Sequence, residues 1–139
     1  IIAGGANFPD GVPWRPTADG GTSAKVYYDT IHVVTKDGAD YSIAEAKAKL
    51  PQVLGYGVSI STTDGVLCIG GEWREDGVTH RSAKVFALSF TDEQVVVDEN
   101  YPPLPEVTTA AAGALVGKPI YIAGGDSGEG ATQNFWSLD

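Results

Sequence analysis

Short apolar segments that each run into a pair of glycines recur three times along the chain. They occupy residues 1–3, 66–69 and 120–123, ahead of Gly4-Gly5, Gly70-Gly71 and Gly124-Gly125. Apolar runs of this length bounded by glycine predict β-strands. After each glycine pair the pattern predicts a polar, glycine-bearing loop and then a second strand, at residues 27–34, 82–90 and 132–139. The recurrence of this order predicts an internal repeat.

The middle copy is the most complete of the three. A strand predicted at residues 55–62 turns through Thr63-Asp64-Gly65 into the strand at 66–69, and a fourth strand is predicted at 93–98. Asp-Gly between apolar runs is a strong hairpin signal. Residues 55 to about 100 therefore predict a four-stranded antiparallel unit, closed by the proline-rich connector at 102–105, which cannot continue a sheet ladder.

The flanking copies are partial, so the chain divides into residues 1–54, 55–105 and 106–139. The first part predicts the second, third and fourth strands of a unit followed by a connector, and the last part predicts the first three strands. A short helix is predicted in the connector at residues 42–52, where Ser42 and Glu45 match a capping box and Pro51 marks the end.

Four strands per unit, with a glycine pair closing the second, resemble the kelch motif of β-propellers. The fold class predicted is thus all-β, a kelch-type propeller segment of about two and a half four-stranded blades. Propellers close with about four to eight blades. We therefore expect either that the chain is a segment of a longer protein, the favoured alternative, or that several copies assemble.

Composition narrows the classes of partner. Nine Lys and Arg against 18 Asp and Glu give a net charge of −9, which argues against a nucleic-acid partner. No apolar run reaches the about 18 residues that a membrane-spanning helix needs, so no membrane partner is expected. Cys68 is the one cysteine; it excludes an internal disulfide and is expected to be buried as a small apolar residue. No Cys pair accompanies the two histidines, so no metal site is predicted.

The three loops that follow the glycine pairs share one face of the predicted sheets. They cover residues 6–26, 72–81 and 126–131 and hold all three arginines of the chain, Arg15, Arg74 and Arg81. Arginine, aromatic and carboxylate side chains on one face are typical of a site for a polar anionic ring. The alternative is that polar residues occupy loops in any protein.

Five motifs occur in an order that resembles one family. They are AGGANFP at residues 3–9, DTIH at 29–32, GYGVS at 55–59, LCIGGE at 67–72 and NFWSLD at 134–139. Together they resemble the sialic acid mutarotase family, also called N-acetylneuraminate epimerases, and most closely its cyclically permuted branch. The resemblance spans essentially the whole chain. It implies a six-bladed kelch propeller that interconverts the anomers of N-acetylneuraminate without a cofactor.

The resemblance also implies roles for individual residues. The family uses a Glu as proton acceptor and a nearby Arg, and Glu72 is the candidate for the first role here. Arg15 and Arg81 are the candidates for contact with the substrate, and Asn7 for a sugar hydroxyl, although an Asn after a glycine pair can also simply form a turn. The expected partners are a small anionic sugar, sialic acid, and the remaining blades of the propeller.

Three interpretations of function stay open at this point. The chain is part of an acid/base isomerase, or a kelch module that binds a glycan or a protein without catalysis, or a structural segment whose catalytic groups lie in other blades. For the compartment, we expect a periplasmic or secreted bacterial protein.

Overall fold

The computed structural model describes residues 1–10 and 24–139, and this part of the chain consists of strands, turns and irregular segments without any helix. Its strands, in chain order, are β1 (Ile2–Ala3), β2 (Ala6–Asn7), β3 (Val26–Tyr27), β4 (Thr30–Asp37), β5 (Asp40–Lys49), β6 (Val58–Ser61), β7 (Val66–Ile69), β8 (Glu72–Glu75), β9 (Val78–Arg81), β10 (Val85–Thr91), β11 (Gln94–Asp98), β12 (Ala112–Leu115), β13 (Ile120–Ala123) and β14 (Phe135–Leu138). The all-β prediction is confirmed for these residues.

The strands form three main antiparallel sheets. The first sheet has the order β1-β4-β5, the second β6-β7-β10-β11 and the third β12-β13-β14. Two short hairpins, β2-β3 and β8-β9, lie between consecutive strands of the first and second sheets. The four-stranded antiparallel sheet predicted for the middle copy is therefore confirmed.

The central strands of the second sheet, β7 and β10, are largely buried on both faces, which explains why β7 carries no polar residue. Successive side chains of a strand point to opposite faces. Leu67 and Ile69 accordingly pack in a core with Ile122 of the third sheet, whereas Cys68 and Phe86 pack in a core with Ile31 of the first. Each face of the second sheet is thus covered by one neighbouring sheet, and the predicted burial of Cys68 is confirmed.

The first two glycine pairs each join their sheet to the segment that leads into the next one. Gly5 N donates to Leu54 O at 2.7 Å, and Gly71 N donates to Thr108 O at 2.8 Å. Gly70 has a φ of +64°, and a Cβ atom there would lie 2.5 Å from Thr108 O. Only glycine accommodates both the left-handed backbone and this close approach, so the repeated pairs have a structural cause.

The helix predicted at residues 42–52 is wrong. Most of this segment belongs to β5, which pairs with β4 along most of its length across the turn at Gly38 and Ala39. Helical propensity is a weak preference that tertiary contacts override, and here the cross-strand pairing with β4 decides the outcome. The Asp37-Gly38 step was the signal for this hairpin.

Candidate functional site

Residues 72–81, predicted as a loop after the second glycine pair, form the β8-β9 hairpin instead. Glu75 pairs with Val78 around a two-residue turn, whose residues Asp76 and Gly77 have φ angles of 49° and 80°. Two consecutive positive φ angles are typical of a type I′ turn, which matches the twist of antiparallel strands. The hairpin places Glu72 directly opposite Arg81, at the end of the second sheet that carries the glycine pair.

Glu72 is held by main-chain and side-chain contacts to the first repeat. Its backbone exchanges hydrogen bonds with Gly55, at 2.9 and 2.8 Å. The Tyr27 hydroxyl donates to Glu72 Oε1 at 2.6 Å, and Tyr27 is only 8% exposed. Burial, and then the neighbouring Glu72 carboxylate, raise the pKa of Tyr27 above its usual value. Tyr27 therefore stays protonated and acts as a hydrogen-bond donor.

Arg81 turns towards the third repeat, although it lies opposite Glu72. Its Nη2 forms an ion pair with Asp126 Oδ1 at 3.2 Å, and Gly128 N donates to the same oxygen at 2.6 Å. The Arg81 side chain is 22% exposed, while its Nε is buried and has no hydrogen-bond partner in the part of the chain that the structure describes. The exposed part of the guanidinium therefore lies on its other nitrogens.

The two side-chain contacts occupy equivalent places in the repeat. Glu72 and Asp126 each follow a glycine pair immediately, and both exchange backbone hydrogen bonds with the segment that enters their sheet, at Gly55 and Thr109 respectively. Tyr27 and Arg81 each precede a residue whose N–H donates to the second glycine of a pair. The repeat thus brings a donor from one unit to a carboxylate of the next.

A lysine ammonium group and three aromatic rings lie beside the Tyr27–Glu72 contact. Lys25 Nζ is 4.6 Å from the ring centroid of Tyr56, 5.7 Å from that of Phe8 and 5.9 Å from that of Tyr27. The ring of Tyr56 meets that of Tyr27 edge-on at 6.3 Å. Cation–π contacts of this kind orient an ammonium group without neutralising it.

The structure brings two of the four predicted site residues together. Glu72 and Arg81 are cross-strand neighbours. Asn7 lies in β2 of the adjacent hairpin, exposed, and its Oδ1 accepts a hydrogen bond from Phe8 N at 2.7 Å, as a turn-forming Asn does. Arg15 lies outside the described residues. The functional roles given to all four stay predictions.

Sequence reasoning did not select Tyr27, Lys25 or Asp126. Asp126 could have been found, because it follows a glycine pair as Glu72 does. Nothing in the sequence marks Tyr27 as the partner of Glu72, since the contact joins residues 45 positions apart. Within residues 1–10 and 24–139 no group of three His, Cys, Asp or Glu side chains is placed to hold a metal ion, and no helix is long and apolar enough to cross a membrane.

Comparison with known proteins gives a partial match. No family model matches the chain. Two similar proteins are the N-acetylneuraminate epimerases of Yersinia pestis (strain Pestoides F) and Yersinia pseudotuberculosis serotype O:1b (strain IP 31758), each 39% identical over 77 residues. The match covers 52% of this chain and 18% of each relative. The chain is thus a distant partial homologue that spans less than a fifth of the relatives' length.

Proposed function

We propose that the chain is part of a sialic acid mutarotase, an isomerase that interconverts the anomers of N-acetylneuraminate. Its three sheets are then neighbouring blades of a six-bladed, cyclically permuted kelch propeller, completed by the rest of a longer chain or by another copy. The partial similarity to N-acetylneuraminate epimerases and the threefold repeat of the glycine-pair geometry support this proposal. A periplasmic or secreted location belongs to the same proposal.

The observation that carries the proposal is the position of Glu72. Its carboxylate lies half-buried at the glycine-pair end of the second sheet, fixed through one oxygen and directly opposite Arg81. Exchange of the anomers of a hemiketal needs a group that removes and returns a proton. It also needs a cation for the carboxylate of the sugar. The two neighbouring side chains supply both chemistries.

The reaction proceeds in two proton-coupled steps. Glu72 accepts the proton of the anomeric hydroxyl as the bond between the anomeric carbon and the ring oxygen breaks, and the ring oxygen takes up a proton from a general acid or water. The open-chain ketone rotates so that its other face meets the same hydroxyl. That hydroxyl adds to the carbonyl and returns its proton to the same acid or water, and Glu72 returns its proton to the new anomeric oxygen. No atom is gained or lost.

Arginine side chains hold the substrate in place during the rotation. Arg81, with Asp126 fixing one of its nitrogens, can offer its remaining donors to the sugar carboxylate. Arg15 and Asn7 are proposed as further contacts, to the carboxylate and to a hydroxyl respectively. A substrate anchored at its carboxylate stays bound while the rest of the open chain turns.

The test uses the full-length protein and follows exchange between the two sialic acid anomers by NMR. Glu72→Gln removes the proton acceptor and should slow exchange about 10²- to 10⁴-fold. Arg81→Ala should mainly raise the substrate concentration needed for half-maximal rate. Glu75→Gln is the matched control, because Glu75 lies in the same hairpin but is exposed. Wild-type rates in Glu72→Gln would show that the chemistry lies elsewhere.

A second candidate function is a non-catalytic module that binds a glycan or a protein. It is favoured by one observation: Glu72 and Arg81 both already have side-chain partners, Tyr27 and Asp126, as structural residues do. A full-length protein that binds sialic acid in an NMR titration but leaves anomer exchange at its uncatalysed rate would establish this alternative.

A further inference from the structure

We propose that Tyr27 is a positioning residue for Glu72, holding one carboxylate oxygen so that the other faces the anomeric hydroxyl of the substrate. The inference rests on the function proposed above and deepens it. Two repeat units then build the reactive group together, because Glu72 belongs to the second unit and Tyr27, which orients it, belongs to the first.

The hydrogen bond divides the carboxylate into two different oxygens. Oε1 accepts from the Tyr27 hydroxyl at 2.6 Å, whereas Oε2 accepts no hydrogen bond from any residue that the structure describes. A carboxylate with both oxygens free rotates and samples many orientations, and a proton transfer requires one of them. Fixing Oε1 leaves Oε2 as the proton acceptor in a defined direction.

The Tyr27 ring is itself immobilised by the residues around Glu72. A Cβ atom on Gly55 would lie 3.1 Å from two carbons of the ring, so the ring packs closely over the Gly55 backbone. That same backbone exchanges both hydrogen bonds with Glu72. Tyr27 and Glu72 therefore both contact Gly55. The distance between the Tyr27 hydroxyl and the Glu72 carboxylate is set by this main-chain geometry as well as by the hydrogen bond.

The surroundings of Tyr27 keep it in the donor state. The titratable and charged groups near its hydroxyl and ring are Glu72, Tyr56, Arg74 and Lys25. Burial and the Glu72 carboxylate outweigh the opposing effect of Arg74, so the hydroxyl keeps its proton throughout the neutral range. The Tyr27 hydroxyl is therefore a permanent donor to Glu72 Oε1.

Tyr27 is an uncharged donor, whereas the residue at the equivalent place in the next unit, Arg81, is a cation. There Arg81 forms an ion pair with Asp126. An ion pair compensates the charge of its carboxylate, whereas a tyrosine hydroxyl orients a carboxylate and leaves its net charge in place. The geometry therefore points to Glu72 as the carboxylate held for proton transfer and to Asp126 as the one held for its arginine.

The experiment compares Tyr27→Phe with Tyr28→Phe in the full-length protein. Tyr27→Phe keeps the ring but removes the donor, and it should lower kcat for anomer exchange about tenfold, the value of one hydrogen bond to a charged group. KM should change less than about twofold, because the substrate contacts remain.

The split between kcat and KM separates positioning from a merely structural role. A merely structural role would lower the urea midpoint of Tyr27→Phe and leave the kcat of the folded protein at the value of Tyr28→Phe. A Tyr27→Phe variant that only unfolds more easily, with unchanged kcat, would overturn the inference while Glu72→Gln still confirmed the mutarotase. A wild-type protein that does not accelerate exchange would overturn the proposed function and this role together.

Discussion

At the junction between the first and second sheets a buried tyrosine donates to Glu72, whereas at the junction between the second and third an arginine forms an ion pair with Asp126. The backbone is the same at both. The glycine pair of one unit donates to the segment that enters the next unit, and that segment exchanges two hydrogen bonds with the residue after the next unit's own glycine pair. We call these the first and second junctions.

The comparison separates what the repeat fixes from what it leaves free. The repeat fixes the place where a donor of one unit meets a carboxylate of the next, because the main-chain hydrogen bonds recur. The repeat does not fix which residue is the donor. Glu72 therefore faces the neutral Tyr27, whereas Asp126 faces the positively charged Arg81. Chemistry can therefore differ between junctions without any change in the fold.

The largest expected effect comes from breaking the shared backbone. In Gly70→Ala the alanine must adopt a positive φ, and its Cβ atom would lie 2.5 Å from Thr108 O. We expect the substitution to lower the free energy of unfolding of the 139-residue chain by about 3 kcal/mol. Gly124→Ala is the matched control: its φ of +66° is almost the same, but the nearest atom lies 3.8 Å away. We expect about 1 kcal/mol there, from backbone strain alone.

Urea unfolding of the two variants measures this difference. The close approach is the feature in which the two glycines differ, so the gap between the variants reports the packing of the junction. Equal losses of stability would mean that left-handed backbone geometry, and not contact between neighbouring units, accounts for the glycine pairs.

The fold was predictable from sequence where burial is strong and local pattern agrees with it. The apolar runs of β7 and β13 lie in the cores, and the pairing of β6 with β7 follows from the turn signal at Asp64-Gly65. The β5 segment was not predictable in the same way. Its alanines and charged residues favour a helix locally, and only the pairing with β4 makes it a strand.

The site was predictable only in part, for a physical reason. Glu72 and Arg81 follow recognisable signals, and the Asp76-Gly77 turn between them indicates the hairpin that makes them neighbours. Tyr27 and Asp126 reach them across sheet junctions. Such contacts depend on how the units pack, which the periodicity of a single strand does not encode.

A second prediction uses alkaline pH to distinguish the junctions. A group whose folded pKa is raised contributes stability that is complete below its unfolded pKa, about 10 for tyrosine, and that is lost as the pH rises through the folded value. Wild type should therefore lose about 1 kcal/mol per pH unit more than Tyr27→Phe above pH 10. Burial also raises the pKa of the Cys68 thiol, to about 11, but this contribution is common to both proteins.

Denaturant unfolding at several pH values between 9 and about 11.5 measures the difference. Asp126→Asn is the control from the second junction, which contains no tyrosine contact, and its curve should run parallel to that of wild type. Parallel curves for wild type and Tyr27→Phe would show that Tyr27 ionises as freely in the folded protein as in the unfolded chain.

A third and smaller effect concerns salt. The Arg81–Asp126 pair is partly exposed, with side chains 22% and 41% accessible, so a double-mutant cycle should give a coupling of about 0.5 to 1 kcal/mol at low ionic strength. Raising the salt to about 1 M should remove most of it, because the screening length falls to about 3 Å. The cycle on Tyr27 and Glu72 should change less, since one partner is uncharged. Equal salt sensitivity at both junctions would contradict the distinction drawn here.

The smallest effect is expected for an ion pair that lies away from both junctions. In β5 three residues face the single residue Ile31 of β4, and this bulge brings Glu45 Oε1 to 2.6 Å from Lys49 Nζ. The Lys49 ammonium lowers the pKa of Glu45, first through their hydrogen bond and then through its charge.

Because the Glu45 side chain is exposed, solvent screens the pair, and Lys49→Ala should leave the free energy of unfolding unchanged at neutral pH. Any stability from the lowered pKa would be present above the unfolded pKa and lost as the pH falls, so the comparison is repeated at pH 3. NMR titration should show the pKa of Glu45 rising towards its usual value in the variant. A loss of stability as large as that of Asp126→Asn would mean that a place at a junction adds nothing to an ion pair.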